Sequence, residues 1–172
     1  MLNEKTKWDL NLIVPYAAYG FIKSKICNKR IRIYFYNHSN TNIKSKINYF
    51  LYNNNLATPV LQNVIGASIL FAINLNYKKI NLFGVEHSWT KDIIVSHNNI
   101  TCWKEQHFYA SKPLKPLIKV DGTFYKLHEI LYDYSKTFSL YHILRDYANF
   151  KGCIIINHTI DSFIDAFIRV KK

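Results

Sequence analysis

The chain has 172 residues, of which 49% are hydrophobic, 16% aromatic and 20% charged, a balance that excludes an intrinsically disordered protein. This length predicts a single domain, residues 1–172, around one hydrophobic core. The formal net charge of +12 is compatible with nucleic acid, an anionic membrane or a phosphorylated substrate as partner. Because the basic residues are scattered and form no RNA- or DNA-binding motif, we expect no nucleic acid.

Residues 10–14 and 31–36 are short runs of β-branched and aromatic residues, and each is ended by a breaker, as in strands. The breakers are Pro15 and the polar stretch 37–40. Residues 43–52 lie between polar segments and predict a short helix.

A buried helix followed closely by a buried strand is the clearest unit of the sequence. Residues 59–76 are apolar over most of a helical surface, and Pro59 suits a first helical turn. The compact apolar run at 79–83 ends at Gly84 and is typical of a strand in a parallel sheet.

The segment of about residues 86–122 is polar and aromatic, and Pro113 and Pro116 interrupt it. It is too long for a simple connection within a compact domain. Insertions of this kind are usually functional lids or disordered segments.

The C-terminal third predicts helix, strand and helix. Residues 127–150 carry apolar residues at helical intervals, as one broken helix or two consecutive helices. Residues 153–156 predict a strand, and 162–170 a terminal helix capped by Thr159 or Asp161. The alternation of elements indicates an α/β fold with a mostly parallel, open sheet flanked by helices.

The apolar run at residues 65–75 is shorter than the roughly 20 residues needed to cross a bilayer. The three cysteines, Cys27, Cys102 and Cys153, are far apart, and we expect no signal peptide ahead of them. This favours reduced thiols over a disulfide framework or a zinc site. We therefore expect a cytoplasmic protein, with peripheral contact at an anionic inner membrane as one use of its charge.

Ligands of open α/β sheets bind outside the carboxyl ends of the strands. Residues 84–89 (Gly-Val-Glu-His-Ser-Trp) follow the best-supported strand and place a flexible turn, a carboxylate, an imidazole and an indole within six positions. They are the leading candidate site, with Gly84, Glu86 and His87 as ligand-binding residues. The alternative for Glu86 is a structural carboxylate that accepts hydrogen bonds from neighbouring N–H groups.

Two other strand ends and one helix start also carry polar residues. Asn157 and Thr159 follow the last strand, and residues 37–39 follow an earlier one; in both places a polar loop that only leaves the sheet is the alternative. Gln62 and Asn63 begin the buried helix, where they either face a phosphate or base or cap the helix.

His107 lies within the insertion and is the candidate general base, because an imidazole takes up a proton near neutral pH. The many tyrosines are more typical of packing than of a stacking platform. The common dinucleotide, P-loop, zinc-protease and serine-hydrolase motifs are absent from the sequence, and no metal-binding constellation is present.

Several segments together resemble a known superfamily. Residues 76–86 (Asn-Tyr-Lys-Lys-Ile-Asn-Leu-Phe-Gly-Val-Glu) match the pattern GYKxIxLxGxD that follows a large apolar helix. The other matching segments are 62–63 (Gln-Asn), 107–109 (His-Phe-Tyr), 154–159 (Ile-Ile-Ile-Asn-x-Thr) and 162–167 (Ser-Phe-Ile-Asp-Ala-Phe). Over about residues 58–168 the chain is similar to the superfamily that joins lipooligosaccharide sialyltransferases with hydroxymethylpterin diphosphokinase-like proteins.

The resemblance implies a Rossmann-like sheet and a glycosyltransferase-like protein of capsule or lipopolysaccharide synthesis. The nucleotide of a CMP-type sugar donor would lie near Gln62, Asn63, Gly84 and Glu86, with a glycan or glycolipid as acceptor. His107 would deprotonate the acceptor, and Tyr109 would help to stabilise the departing phosphate, without any metal or other cofactor.

The chain departs from the family pattern in two places. No glycine-rich, serine-containing turn precedes Trp8, so we expect the first βα unit of the family to be missing or supplied by another polypeptide, which makes an oligomer an option. Glu86 also stands where the sialyltransferases have Asp. The alternative function is therefore a non-catalytic, N-terminally shortened relative that acts as a binding module.

Overall fold

The computed structural model describes residues 1–41, 46–104, 106–107, 110–111 and 114–170; for the two short pairs the description covers the backbone. Backbone contacts divide the chain into two compact units, Met1–Val60 and Leu61–Lys172, called here the first unit and the second unit. The single domain and the missing first βα unit stay predictions.

The first unit contains a strand–helix–strand motif. Its elements are α1 (Leu2–Lys5), β1 (Leu10–Pro15), a 3-10 turn (Tyr16–Ala18), α2 (Tyr19–Lys25), β2 (Ile31–Tyr36) and α3 (Lys46–Asn53). β1 and β2 are parallel, with Leu10 opposite Ile31. The chain crosses between them through α2, because parallel strands cannot be joined by a tight hairpin. Both predicted strands and the short helix are confirmed.

The second unit combines helices with two kinds of sheet. Its elements are α4 (Val64–Asn74), β3 (Lys79–Leu82), a 3-10 turn (Trp89–Asp92), β4 (Ile93–Val95), β5 (Thr101–Trp103), β6 (Gln106–His107), β7 (Ala110–Ser111), β8 (Lys115–Pro116), α5 (Leu127–Phe150), β9 (Ile154–Asn157) and β10 (Ile168–Arg169). The strands β10, β9 and β3 pair in that order, all parallel. The structure is therefore α/β with parallel strands, as predicted.

The segment between β3 and α5 has regular structure of its own. Its strands β4, β5 and β8 form an antiparallel sheet in that order. Beyond this sheet, Lys119 Nζ lies 2.6 Å from the carboxylate of Glu129 in the first turn of α5. The backbone N–H of Tyr125 also donates to the carbonyl of Leu117 at 2.9 Å. These contacts connect the insertion to the start of α5.

The core of the second unit lies where α4 packs on α5. Gly66 allows a close approach, since a Cβ at this position would lie 2.6 Å from Cδ2 of Leu140. At the other end of α4 the Tyr147 hydroxyl donates to Asn74 Oδ1 at 2.7 Å. The side chains buried between and beside these helices include Ile69, Leu70, Ile73, Leu140, Tyr141, Leu144 and Tyr147.

The structure corrects three predicted elements. The helix expected at residues 59–76 begins only at Val64, because the side chain of Asn63 caps it by accepting from the N–H of Gly66 at 2.9 Å. The helix expected as broken or double at 127–150 is a single helix, α5; no glycine or proline interrupts these residues.

The terminal helix expected at residues 162–170 is wrong, and the strand β10 is found there instead. The Arg169 guanidinium donates to the backbone carbonyls of Ser162 and Ile164. In an α-helix from Ser162 these two carbonyls would accept from N–H groups four residues further on, so the guanidinium competes with bonds that the first turns would make.

Cys27 is exposed, Cys102 and Cys153 are buried, and all three are free thiols. In the part of the chain that the structure describes, no helix combines the length and hydropathy that crossing a membrane requires.

Candidate functional site

The loop after β3 turns sharply and buries part of its own sequence. Gly84 and His87 have φ angles of +66° and +50°, in the left-handed region that glycine adopts freely and other residues rarely enter. The turn leaves Gly84 and Glu86 exposed and buries Val85 and His87. A non-glycine residue in this conformation is held there by its surroundings.

The chain after β9 fixes this loop. The N–H of Val85 donates to Thr159 Oγ1 at 3.0 Å, and the carbonyl of Val85 accepts from Ser162 Oγ at 2.7 Å. The carbonyl of Glu86 accepts from the N–H of Phe163 at 2.7 Å. The hydroxyls of Thr159 and Ser162 thus satisfy the N–H and the carbonyl of Val85, which lies in neither a sheet nor a helix.

Asn157 and Thr159 act together in this support. The Asn157 amide donates to Ser162 Oγ at 2.9 Å and accepts from the backbone N–H of Thr159 at 3.0 Å. Asn157 is buried, and both ends of its amide are engaged within the protein. The structure therefore gives these two predicted ligand-binding residues contacts that hold residues 85–86 against the end of β9.

Behind the loop, His87, Tyr141 and Asn63 form a buried chain of polar contacts. Nε2 of His87 lies 2.6 Å from the Tyr141 hydroxyl oxygen. Asn63 Nδ2 donates to the same oxygen at 3.1 Å. The chain joins the exit of β3, the middle of α5 and the N-terminus of α4.

The surroundings of this chain of polar contacts favour the neutral forms of His87 and Tyr141. Burial lowers the pKa of His87, although the nearby Glu86 carboxylate raises it. Burial raises the pKa of Tyr141 to about 12, against a smaller lowering by its hydrogen bond with Asn63. Because Asn63 supplies a hydrogen to the phenol oxygen, Tyr141 can donate its own proton to a neutral His87 Nε2.

An open pocket of about 430 Å³ lies beside the N-terminus of α4. Its lining residues are Gln62, Asn63, Trp89, Trp103, Asp133, Tyr134 and Thr137. These residues come from the start of α4, the loop after β3, the strand β5 and the second and third turns of α5. The pocket therefore combines two indoles and a phenol with two amides, a carboxylate and a hydroxyl.

Trp89 is held in place by neighbouring rings. Its ring centroid lies 4.2 Å from that of His87, 5.4 Å from that of Tyr134 and 6.5 Å from that of Phe138. The ring of His87 in turn packs edge-on against Tyr141 at 5.4 Å. The buried polar chain and the aromatic wall of the pocket thus share the imidazole of His87.

The predicted site residues fall into different places. Gln62 and Asn63 line the pocket, and His87 supports the pocket from behind. Gly84 and Glu86 are exposed on the loop, while Tyr109 and the side chain of His107 lie outside the described residues.

Sequence reasoning missed the part of the site that α5 supplies. Asp133, Tyr134, Thr137 and Tyr141 stand at positions i, i+1, i+4 and i+8 of the helical segment 127–150. These offsets place polar groups along one side of a helix. Trp103 lies in β5, inside a segment whose alternating pattern is too short to predict a strand.

Among the residues that the structure describes, no group of His, Cys, Asp or Glu side chains could hold a metal ion. No family model, curated protein or solved structure matches this chain.

Proposed function

We propose that this chain is a Rossmann-like, glycosyltransferase-like protein of surface-polysaccharide synthesis that binds a nucleotide-activated sugar. The observation that carries the proposal is the pocket, in which Trp89 and Trp103 face the amide residues Gln62 and Asn63 at the start of α4. Its other support is the sequence resemblance to the sialyltransferase superfamily, which favours a CMP-type donor.

The pocket suits each part of such a ligand. A flat base or the apolar face of a sugar stacks on the indole of Trp103, because the Trp89 ring already packs against His87 and Tyr134. Such a stack contributes about 1–3 kcal/mol per base. The amides of Gln62 and Asn63 donate and accept hydrogen bonds with ring substituents or hydroxyl groups. The N-terminus of α4, an 11-residue helix, favours the negative charge of a phosphate.

An inverting sugar transfer needs a base on the acceptor side and hydrogen-bond donors on the leaving phosphate. In this proposal His107 takes the acceptor proton and Tyr109 donates to the phosphate, as the resemblance implies. The inserted segment that carries both residues acts as a lid over the donor. Gly84 and Glu86 contact the nucleotide from the loop after β3, and a glycan or glycolipid is the acceptor, in the cytoplasm.

Tryptophan fluorescence offers a direct test of the pocket. The chain has three tryptophans, and Trp8→Phe removes the one in the first unit, so the remaining emission comes from Trp89 and Trp103. CMP, CDP, UDP and GDP are titrated into this variant. We expect one nucleotide, CMP in the first place, to quench the emission saturably.

Two further substitutions in the Trp8→Phe background locate the binding. Gln62→Ala should weaken binding by about 2- to 10-fold, the range for one lost hydrogen bond, and Glu86→Ala should also weaken it if the loop contacts the nucleotide. Lys104 is exposed and outside the pocket lining, so Lys104→Ala serves as the control. Absence of quenching by every nucleotide would contradict the proposal.

One observation favours the second candidate, a non-catalytic binding module. Among the described residues that line the pocket, Asp133 alone carries a charge, and its carboxylate lies 2.7 Å from Lys136 Nζ. Because this carboxylate is already paired with a lysine, it is a poor general base for sugar transfer.

His107→Ala separates the two functions: an enzyme loses sugar transfer while it still binds the nucleotide. A binding module shows nucleotide binding and no transfer before and after the substitution.

A further inference from the structure

Positive charge is concentrated in the first unit. No acidic residue occurs from Leu10 to Val85, and residues 1–60 contain nine Lys and Arg but only two acidic residues, Glu4 and Asp9. Asp9 lies 3.8 Å from both Arg30 and Arg32. The excess positive charge of α2 and its surroundings is therefore not neutralised from within this unit.

Large aromatic side chains are exposed next to this charge. Phe21 in α2 is 67% exposed, and Tyr16 in the turn before it is 63% exposed. Lys23 and Lys25 are exposed on the same short helix. We define the basic aromatic surface as the exposed side chains Tyr16, Tyr19, Phe21, Lys23 and Lys25; on α2, Tyr19 and Lys23 share one side of the helix, and Phe21 and Lys25 share another.

Two rings of this surface, Tyr16 and Tyr19, are fixed to the sheet beneath. Tyr16 stacks on Tyr19 with centroids 5.5 Å apart, and Tyr19 packs on Phe35 of β2 at 5.0 Å. Lys23 Nζ lies 5.0 Å from the centroid of Tyr19. Tyr16 and Tyr19 are thus held in a preformed arrangement, and their immobilisation adds little cost on binding.

This arrangement fits a lipid interface better than a nucleic acid. A base needs a free ring face to stack on, and Tyr19 offers little of one, because it stacks on Tyr16 and also contacts Phe35 and Lys23. Tyrosine and phenylalanine beside lysine are typical of segments that lie in the headgroup region. The lysine stems cover apolar surface while their ammonium groups reach the phosphates.

We propose that the basic aromatic surface docks on a bilayer containing anionic phospholipids, with Phe21 inserted below the headgroups and Lys23 and Lys25 against the phosphates. The inference does not depend on the nucleotide pocket, which lies in the second unit. It assigns the first unit the task of bringing the chain to a membrane face.

The test is co-sedimentation of the full chain with vesicles of phosphatidylcholine alone and of equal parts phosphatidylcholine and phosphatidylglycerol. We expect binding to the mixed vesicles that weakens with salt and negligible binding to the neutral ones. Each lysine near an anionic surface contributes about fivefold to the partition coefficient. Lys23→Glu with Lys25→Glu should therefore lower it by at least about 20-fold.

Matched controls separate this surface from overall charge. Lys79→Glu with Lys104→Glu changes the net charge equally but lies in the second unit, and Phe83→Ser removes a ring as exposed as Phe21. Phe21→Ser should weaken vesicle binding, whereas both controls should leave it nearly unchanged. Circular dichroism checks that every variant is folded.

Three outcomes would overturn the proposal. Absence of binding to the mixed vesicles would do so, and so would equal losses in the surface variants and their controls. The third is tight binding of a single-stranded oligonucleotide, lost in the Lys23 and Lys25 variant, with vesicles left unbound; this result would assign the surface to nucleic acid.

Discussion

The hydroxyl of Tyr141 and Nε2 of His87 lie 2.6 Å apart in the interior of the second unit, although 54 positions separate them in the sequence. This contact joins the loop after β3 to the middle of α5. Because the ring of His87 also packs on Trp89 at 4.2 Å, the same contact positions one wall of the pocket.

Removal of the Tyr141 hydroxyl should destabilise the protein. Tyr141→Phe leaves His87 Nε2 and Asn63 Nδ2 without their shared partner, and an unsatisfied buried polar group costs about 1–3 kcal/mol. Urea unfolding monitored by circular dichroism measures the loss. Tyr132→Phe is the control, since Tyr132 is largely exposed; equal losses in the two variants would contradict a special role for the Tyr141 hydroxyl.

The stability of the protein should fall at mildly acidic pH, partly through His87. Burial lowers the pKa of His87 in the folded protein, so the unfolded chain takes up this proton at a higher pH, near the ordinary value of about 6.5. The contribution of His87 is fully present above that value and is lost as the pH falls toward the folded pKa.

The matching measurement is the free energy of unfolding as a function of pH. The slope of this curve below neutral pH should be smaller in His87→Gln than in the original chain. His97→Gln, at an exposed position, should leave the slope nearly unchanged. An identical slope in all three proteins would show that the pKa of His87 does not differ between the folded and the unfolded protein.

Ser162→Ala should loosen the loop after β3. Its hydroxyl donates to the Val85 carbonyl and accepts from the Asn157 amide and the N–H of Ile164, so the substitution leaves buried groups unsatisfied at a cost of about 1–3 kcal/mol. Hydrogen exchange should show faster exchange at residues 85–87. Unchanged exchange there would mean that Thr159 and Phe163 hold the loop without Ser162.

Two glycine substitutions should have different effects on stability. Gly66→Ala places a methyl group 2.6 Å from the buried side chain of Leu140, and overpacking of this kind costs about 1–3 kcal/mol. Gly20→Ala, in α2, meets no atom within 4 Å and should be neutral or stabilise by about 0.5–1 kcal/mol. Thermal unfolding of both variants would reveal the difference, and equal midpoints would contradict the close approach of α4 and α5.

Local sequence patterns predicted the strands β1, β2, β3 and β9 and the helices α3, α4 and α5, but not α1, α2, β10 or the short strands of the inserted segment. β1 and β2 appear as dense runs of β-branched and aromatic residues, and β3 as a compact apolar run that ends at Gly84. The length of α5 was predicted, but its continuity was not, because Ser135, Lys136 and Ser139 weaken the periodic pattern without breaking the helix.

Long-range contacts were beyond what the sequence could predict. The chain from residue 162 has a helical pattern, yet the side chain of Arg169 binds the carbonyls of Ser162 and Ile164, and β10 is found there instead of a helix. The sequence predicted residues 84–89 and 62–63 as candidate sites, but the contribution of α5 depends on which side of that helix faces α4. Packing of the two helices decides this, and no local pattern encodes it.

Because the thiols of the two units differ in exposure, their rates of alkylation can report on the opening of the second unit. Cys27 in the first unit is exposed, whereas Cys102 and Cys153 in the second are buried, and burial also raises the pKa of the Cys153 thiol. An alkylating reagent should therefore modify Cys27 at once and the other two only when the second unit opens. Mass spectrometry of the labelled chain would then give the opening rate of the second unit, with the modified Cys27 as an internal reference in every molecule.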